Sequence, residues 1–212
     1  SENLKVATRD VLISELGTLA STGLFGHKDY PPMDDLARHL GMSKKTIYKF
    51  FKDKKELVRT IILGNIAEDK KLCLETEQTA ENAIDQMILI AKFISVSFGS
   101  LHSSVFYDLQ KYHKDAWDLM EEHKSVFVRT HIEKNIERGI QEGLYRSDIK
   151  SDIIAVAYIA SMDTIFNGVS FSNNQYTVSD IFVEIIRFLI RGITNEKGIE
   201  YLKKRIKQEK NV

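Results

Sequence analysis

Residues 33 to 58 read "MDDLARHLGMSKKTIYKFFKDKKELV". One apolar set, Leu36, Ala37 and Leu40, precedes Gly41, and a second, Ile47, Phe50 and Phe51, follows Ser43. The spacing predicts a short helix over 33–40, stopped at Gly41 because a left-handed terminal position is cheap only for glycine. Ser43 suits the N-cap of the next helix, its hydroxyl taking up a free amide of the first turn. At 100° per residue Ile47, Phe50 and Phe51 share one arc, while Lys45, Tyr48, Lys49 and Lys52 fall on the opposite one. Ala37 is small where two helices cross, Gly41 turns the chain, and Ile47 and Phe50 seat the second helix on the first. This is the geometry of a helix-turn-helix, whose second helix enters the DNA major groove. Lys44, Lys45, Lys49, Lys52 and Lys54 can neutralise phosphates, and Thr46 and Tyr48 can hydrogen-bond to phosphates or bases. The plain alternative is a solvated lysine face; Phe50 and Phe51 are core on either reading.

Outward from this stretch, the charge balance agrees with it. The 212-residue chain is formally neutral. Residues 1 to 60 carry a balance of +3 and the remainder −3, and residues 41 to 55 hold six lysines against one acid, Asp53. A local basic patch is what phosphate binding requires. With 43% hydrophobic and 28% charged residues and two prolines, the composition is that of a globular, helix-rich protein. Cys73 is the only cysteine, so no internal disulfide forms. No signal-peptide pattern opens the chain, and the longest nearly unbroken apolar run, 153–162, is too short to span a bilayer. A cytoplasmic protein without membrane partners is expected.

Helical periodicity dominates throughout. It predicts helices over 4–25, 33–40, Ser43 onward, 53–74, 81–99, 103–112, 115–142, 151–170, 178–193 and 199–209. Gly143 closes one helix, Ser151 is a cap for the next, and Thr177 with Asp180 forms a variant of the capping box. No segment shows strand alternation. The expected fold is all-α, with a small N-terminal bundle leading into a larger helical domain.

Residues 33 to 58 resemble the helix-turn-helix and following helix of the TetR family of bacterial transcriptional regulators, "TIYKFFKDKKEL" being the most recognisable part. Beyond about residue 60 the resemblance is one of helical layout and of "GIQEGLYRSDIKSDIIA", 139–155. It implies a three-helix helix-turn-helix DNA-binding domain over 1–60 and a helical ligand-binding and dimerisation domain over 61–212. It further implies a homodimer on a palindromic double-stranded DNA operator, and a repressor released by a small-molecule inducer. Carried onto this chain, the implied DNA contacts are Ser43, Lys44, Lys45, Thr46, Tyr48, Lys49 and Lys54. One departure stands out. Where the family usually opens its second helix with Ser or Thr, this chain has Pro31, Pro32 and Met33, then Asp34 and Asp35, which would repel phosphates if they faced DNA.

In the larger half, 151–170 and 178–193 are apolar around most of their circumference, which calls for burial on several sides. They are the expected homodimer helices, packed across a two-fold axis. Phe93, Phe106, Tyr107, Trp117, Phe127, His131, Met162, Asp163 and Phe166 are the candidate ligand pocket, with Phe98, Met120 and Asn167 nearby in sequence; plain core is the simpler reading for each. No nucleophile motif or glycine-rich phosphate loop is present. No two of His102, His113, His123 and His131 share an i, i+4 metal-binding spacing, which leaves Asp108, His113 and His123 as a minor metal-responsive alternative. No catalytic residue, cofactor or metal is assigned. The competing reading is a helical small-molecule-binding protein or enzyme whose basic N-terminus does not read DNA.

Overall fold

The computed structural model describes residues 33–39, 41–98, 104–166 and 176–209. The expected helix at 4–25, the loop before Met33, Leu40, His102, Asn167 and the end of the 151–170 helix lie outside the described residues.

The described elements are helices joined by short turns: α1 (Met33–His39), α2 (Lys44–Ile47), α3 (Lys54–Thr79), α4 (Ala83–Ser97), α5 (Ser104–Tyr112), α6 (Lys114–Glu122), a π-helical segment (His123–Val128), α7 (Arg129–Gln141), α8 (Ser151–Phe166), α9 (Val178–Ile193) and α10 (Glu196–Glu209). Among them there is no strand, only an isolated antiparallel bridge between Tyr145 and Thr194.

Local chemistry accounts for most of the boundaries. Gly41 has φ +60°, and the Met42 amide donates back to the Ala37 carbonyl at 3.0 Å, closing α1. Gly143, φ +67°, ends α7 in the same way, with the Leu144 amide on the Gly139 carbonyl at 2.9 Å. Asp53 caps α3 by accepting from the Glu56 amide at 2.8 Å, and Thr177 with Asp180 makes the expected capping box on α9. Ser151 is not a cap. It is the first residue of α8, and its hydroxyl bonds to Glu137 at 3.3 Å.

The 115–142 helix is continuous but not uniformly α. Its π-helical turn inserts an extra residue per turn and changes which face each side points to. His123 consequently meets α3 while Lys124 meets α8. Nothing in the 3.6-residue pattern announces this break.

α4 packs along α9, α7 along α8, and α3 along α6. The turn from α3 to α4 is pinned by the end of α7. Arg138 donates to the Ala80 carbonyl at 2.9 Å, Glu142 accepts from the Ala83 amide at 2.8 Å, and buried Asn135 bonds to Ala83 and Gln86. The 26 residues of α3 span roughly 39 Å. Its first turns bury Leu57, Val58, Ile61 and Ile62 against the core that holds α1 and α2, and its far end joins α4.

Candidate nucleic-acid interface

The reading head is a single α turn on an apolar seat. Ile47 (0% exposed) and Phe51 (1%) are buried with Leu36 and Ala37, while Phe50 packs only partly into the same cluster. α2 is shorter than the periodicity suggests: after Ile47 the chain continues as turns, with the Phe50 and Phe51 amides both donating to the Ile47 carbonyl at 2.9 and 3.3 Å. This winding still carries Ile47, Phe50 and Phe51 inward and leaves Lys45, Tyr48 and Lys49 exposed.

The seven expected DNA-contact residues differ in how much of their chemistry is already engaged. Ser43 is the N-cap of α2, accepting from the Thr46 amide at 3.1 Å, and its hydroxyl shares a 2.8 Å hydrogen bond with the Thr46 hydroxyl. Lys44 holds an ion pair with Asp34 of α1, Nζ to Oδ1 2.7 Å. Lys45, Tyr48 and Lys49 lie on the exposed side, and Lys54 is half-buried at the first position of α3. Nearby, Lys55 reaches Asp115 of α6 at 3.7 Å, tying the start of α3 to the larger helical body.

The candidate pocket residues separate into groups. Phe106, Trp117, Met162 and Phe166 are buried in one cluster, where Phe166 meets Phe106 edge-on at 4.6 Å and Trp117 at 6.1 Å. Asp163 sits beside them, paired with Lys124, whose ammonium also meets Glu121 at 2.7 Å and lies 5.2 Å over the Phe166 ring. The Phe127 and His131 rings meet at 4.0 Å, tilted by 31°, on the side facing α3, near Lys70 and Glu77. Phe93 is half-buried. Tyr107 is exposed, under the Lys111 ammonium.

Lys124 was not among the expected residues. In sequence it reads as a solvent lysine, and only the fold brings Asp163 of α8 beside it. Asp108 and His113 are buried, and His123 is bonded to Asp69. Among the described residues no three His, Cys, Asp or Glu side chains gather as a metal site, and no helix is long and apolar enough to cross a membrane.

Residues 19–61 match the family model described as "Bacterial regulatory proteins, tetR family". The chain is 25% identical over 168 residues to the uncharacterized HTH-type transcriptional regulator YvaF of Bacillus subtilis (strain 168), covering 78% of this chain and 86% of that protein. Its fold resembles that of a TetR family transcriptional regulator from Agrobacterium tumefaciens, with TM-score 0.63, 14% identity, and 88% and 100% of the two chains covered. It also resembles a putative transcriptional regulator from Saccharomonospora viridis in complex with choline, with TM-score 0.61, 16% identity, and 90% and 100% covered. The match begins before α1 and ends within α3, so it takes in the whole turn on which Lys45, Tyr48 and Lys49 are presented. On these grounds residues 19–61 carry the tetR-family DNA-binding segment, and the chain as a whole is similar to DNA-binding transcriptional regulators of that family.

Proposed function

We propose that the protein is a homodimeric repressor that binds a palindromic DNA operator and leaves it when a small-molecule inducer binds the larger helical domain. Residues 1–60 form the DNA-binding domain, and 61–212 the ligand-binding and dimerisation domain. The observation that carries the reading is the exposed Lys45, Tyr48 and Lys49 face held on a turn whose opposite side, Ile47 and Phe51, is fully buried. A reading head needs this rigidity, because base edges are recognised by side chains whose backbone does not move. Ser43, Lys44, Thr46 and Lys54 complete the contact set, Ser43 chiefly as the cap that fixes the turn.

The dimer is supported by the outer faces of α8 and α9. Ile153, Val156, Ala157 and Ala160 run along α8 at helical spacing and are exposed, and Phe188 of α9 is 81% exposed. A ring that open on a helix otherwise well packed marks an interaction site. Two-fold pairing of reading heads then matches half-sites about 34 Å apart. Phe106, Trp117, Met162 and Phe166, with Asp163 at their edge, are the part of the larger domain best furnished for an apolar ligand with one polar group. That the fold neighbour from Saccharomonospora viridis is in complex with choline supports a small-molecule ligand for this chain.

The test is a gel shift against fragments flanking the protein's own gene, repeated from 50 to 200 mM salt. In a dimer Lys49→Ala removes two phosphate contacts, so the slope of log K on log salt falls by about 1.8. Light scattering of Phe188→Asp at micromolar concentration reads the dimer, with a monomer expected. Salt-independent binding, or a wild-type monomer, sinks the proposal.

A further inference from the structure

Asp34 is the feature that the family resemblance leaves without a role. It is the second residue of α1, just after the Pro31, Pro32 and Met33 that stand where the family usually has Ser or Thr, and its carboxylate is exposed. The structure gives it a partner: Asp34 Oδ1 lies 2.7 Å from Lys44 Nζ, both side chains being substantially exposed at 74% and 45%. Lys44 opens the recognition turn, immediately before Lys45.

We propose that Asp34 is a specificity-determining residue, its carboxylate standing on Lys44 where a DNA phosphate oxygen would stand. The inference rests on the reading that this turn binds DNA.

Non-specific binding is almost wholly electrostatic, and each lysine free to neutralise a phosphate adds to it by releasing counterions. A lysine held by a carboxylate adds little, since the pair is neutral and no counterion is gained. On random DNA the protein rides the backbone loosely, and the pair stays closed. On the operator the turn enters the groove, base contacts hold it there, and a phosphate is delivered to Lys44 at short range. An ion pair this exposed holds only weakly, so it opens when a better-placed anion arrives. Asp34 thus subtracts a contact from the wrong sequences while costing the right one little, which is discrimination by a repulsive element rather than by an added attraction.

The experiment compares wild type, Asp34→Asn, Lys44→Gln and the double variant. Each is titrated with a random-sequence duplex and with a duplex that wild type selects from a randomised library, between 50 and 200 mM salt. Both positions are exposed, and an unchanged helical circular dichroism spectrum accompanies each variant. Asp34→Asn is expected to steepen the non-specific salt slope by about 1.8 for two copies, so that non-specific affinity falls roughly tenfold further across that range. Its ratio of selected to random affinity should drop severalfold. Lys44→Gln should leave the non-specific slope at the wild-type value, and the double variant should return to it.

Three results would overturn the inference. One is an unchanged slope in Asp34→Asn. Another is a slope lost in Lys44→Gln alone, meaning that Lys44 already works on random DNA. The third is an equal steepening by Asp34→Asn whether or not Lys44 is present, which is general charge repulsion and not the pair. A wild type that binds neither duplex would instead remove the DNA-reading function itself, so the two failures are told apart.

Discussion

Nε2 of His123, on the π-helical turn, lies 2.6 Å from Oδ2 of Asp69 on α3. A carboxylate only accepts, so the imidazole donates. The contact does not stand alone. The His123 ring stacks on Phe127 at 5.1 Å, Phe127 meets His131 at 4.0 Å, and His131 Nε2 faces Glu77 at 3.7 Å. Asp69, Cys73 and Glu77 are spaced four apart on α3, so one face of that helix is laid against one face of the 123–131 segment. α3 also carries Lys54 and Lys55 at its start. One helix therefore joins the Lys54 and Lys55 end to the contacts of the 123–131 segment.

His123→Ala is expected to destabilise the protein by about 1–3 kcal/mol, because the part-buried Asp69 carboxylate loses a charge-assisted partner. In a chain of this size that shifts Tm by roughly 2–10 °C, read by calorimetry at fixed protein concentration. The cost in an Asp69→Asn background should be smaller than in wild type. Equal costs in both backgrounds would mean that the pair is not coupled.

Alkaline pH should weaken the fold. Burial, reinforced by the Asp69 and Glu77 charges, pushes the Cys73 thiol up to about 12 from an ordinary value of 9.0. Burial likewise raises the phenols of Tyr158 and Tyr145. In the unfolded chain these groups lose their protons first. The native state then binds more protons than the unfolded one, and stability falls as pH rises. For Cys73 the contribution is fully present below pH 9 and is lost between about 9 and 12. Urea midpoints at pH 7, 9 and 10.5 should decline, less steeply in Cys73→Ala. At pH 8 the thiol should react with a disulfide reagent only as fast as the protein opens.

Gly139→Ala is expected to cost about 1–3 kcal/mol, the range for overpacking. A Cβ there would lie 2.1 Å from Cδ2 of Tyr145. The ring cannot retreat freely, since it is 2% exposed and its hydroxyl donates to Asn135 at 3.2 Å. Chemical denaturation measures the loss. The substitution in a Tyr145→Leu background should recover part of it.

Much of the fold is legible in the sequence because its signals are local. The stop at Gly41, the cap at Ser43, the box at Thr177 and Asp180, and the 178–193 helix follow from residues within one turn of each other. The exposure of Lys45, Tyr48 and Lys49 opposite buried Ile47 follows for the same reason: at 100° per residue, Ile47 and Lys49 cannot share a face. What failed to show were features fixed by partners distant in the chain. Lys124 reads as a solvent lysine until Asp163, 39 residues away, is placed beside it. Tyr107 and Phe106 look equally fit for a pocket, yet one is exposed and the other buried.

The sequence by itself determined the helical class, the turn at 41–43 and the division of the 43–54 stretch into a buried side and a cationic side, since periodicity and capping act over a few residues. Only the tertiary structure decided that Lys44, among those lysines, is paired with Asp34. Lys44 and Asp34 are ten positions apart and on different helices, and Coulomb attraction depends on the distance in space that the Gly41 turn makes short.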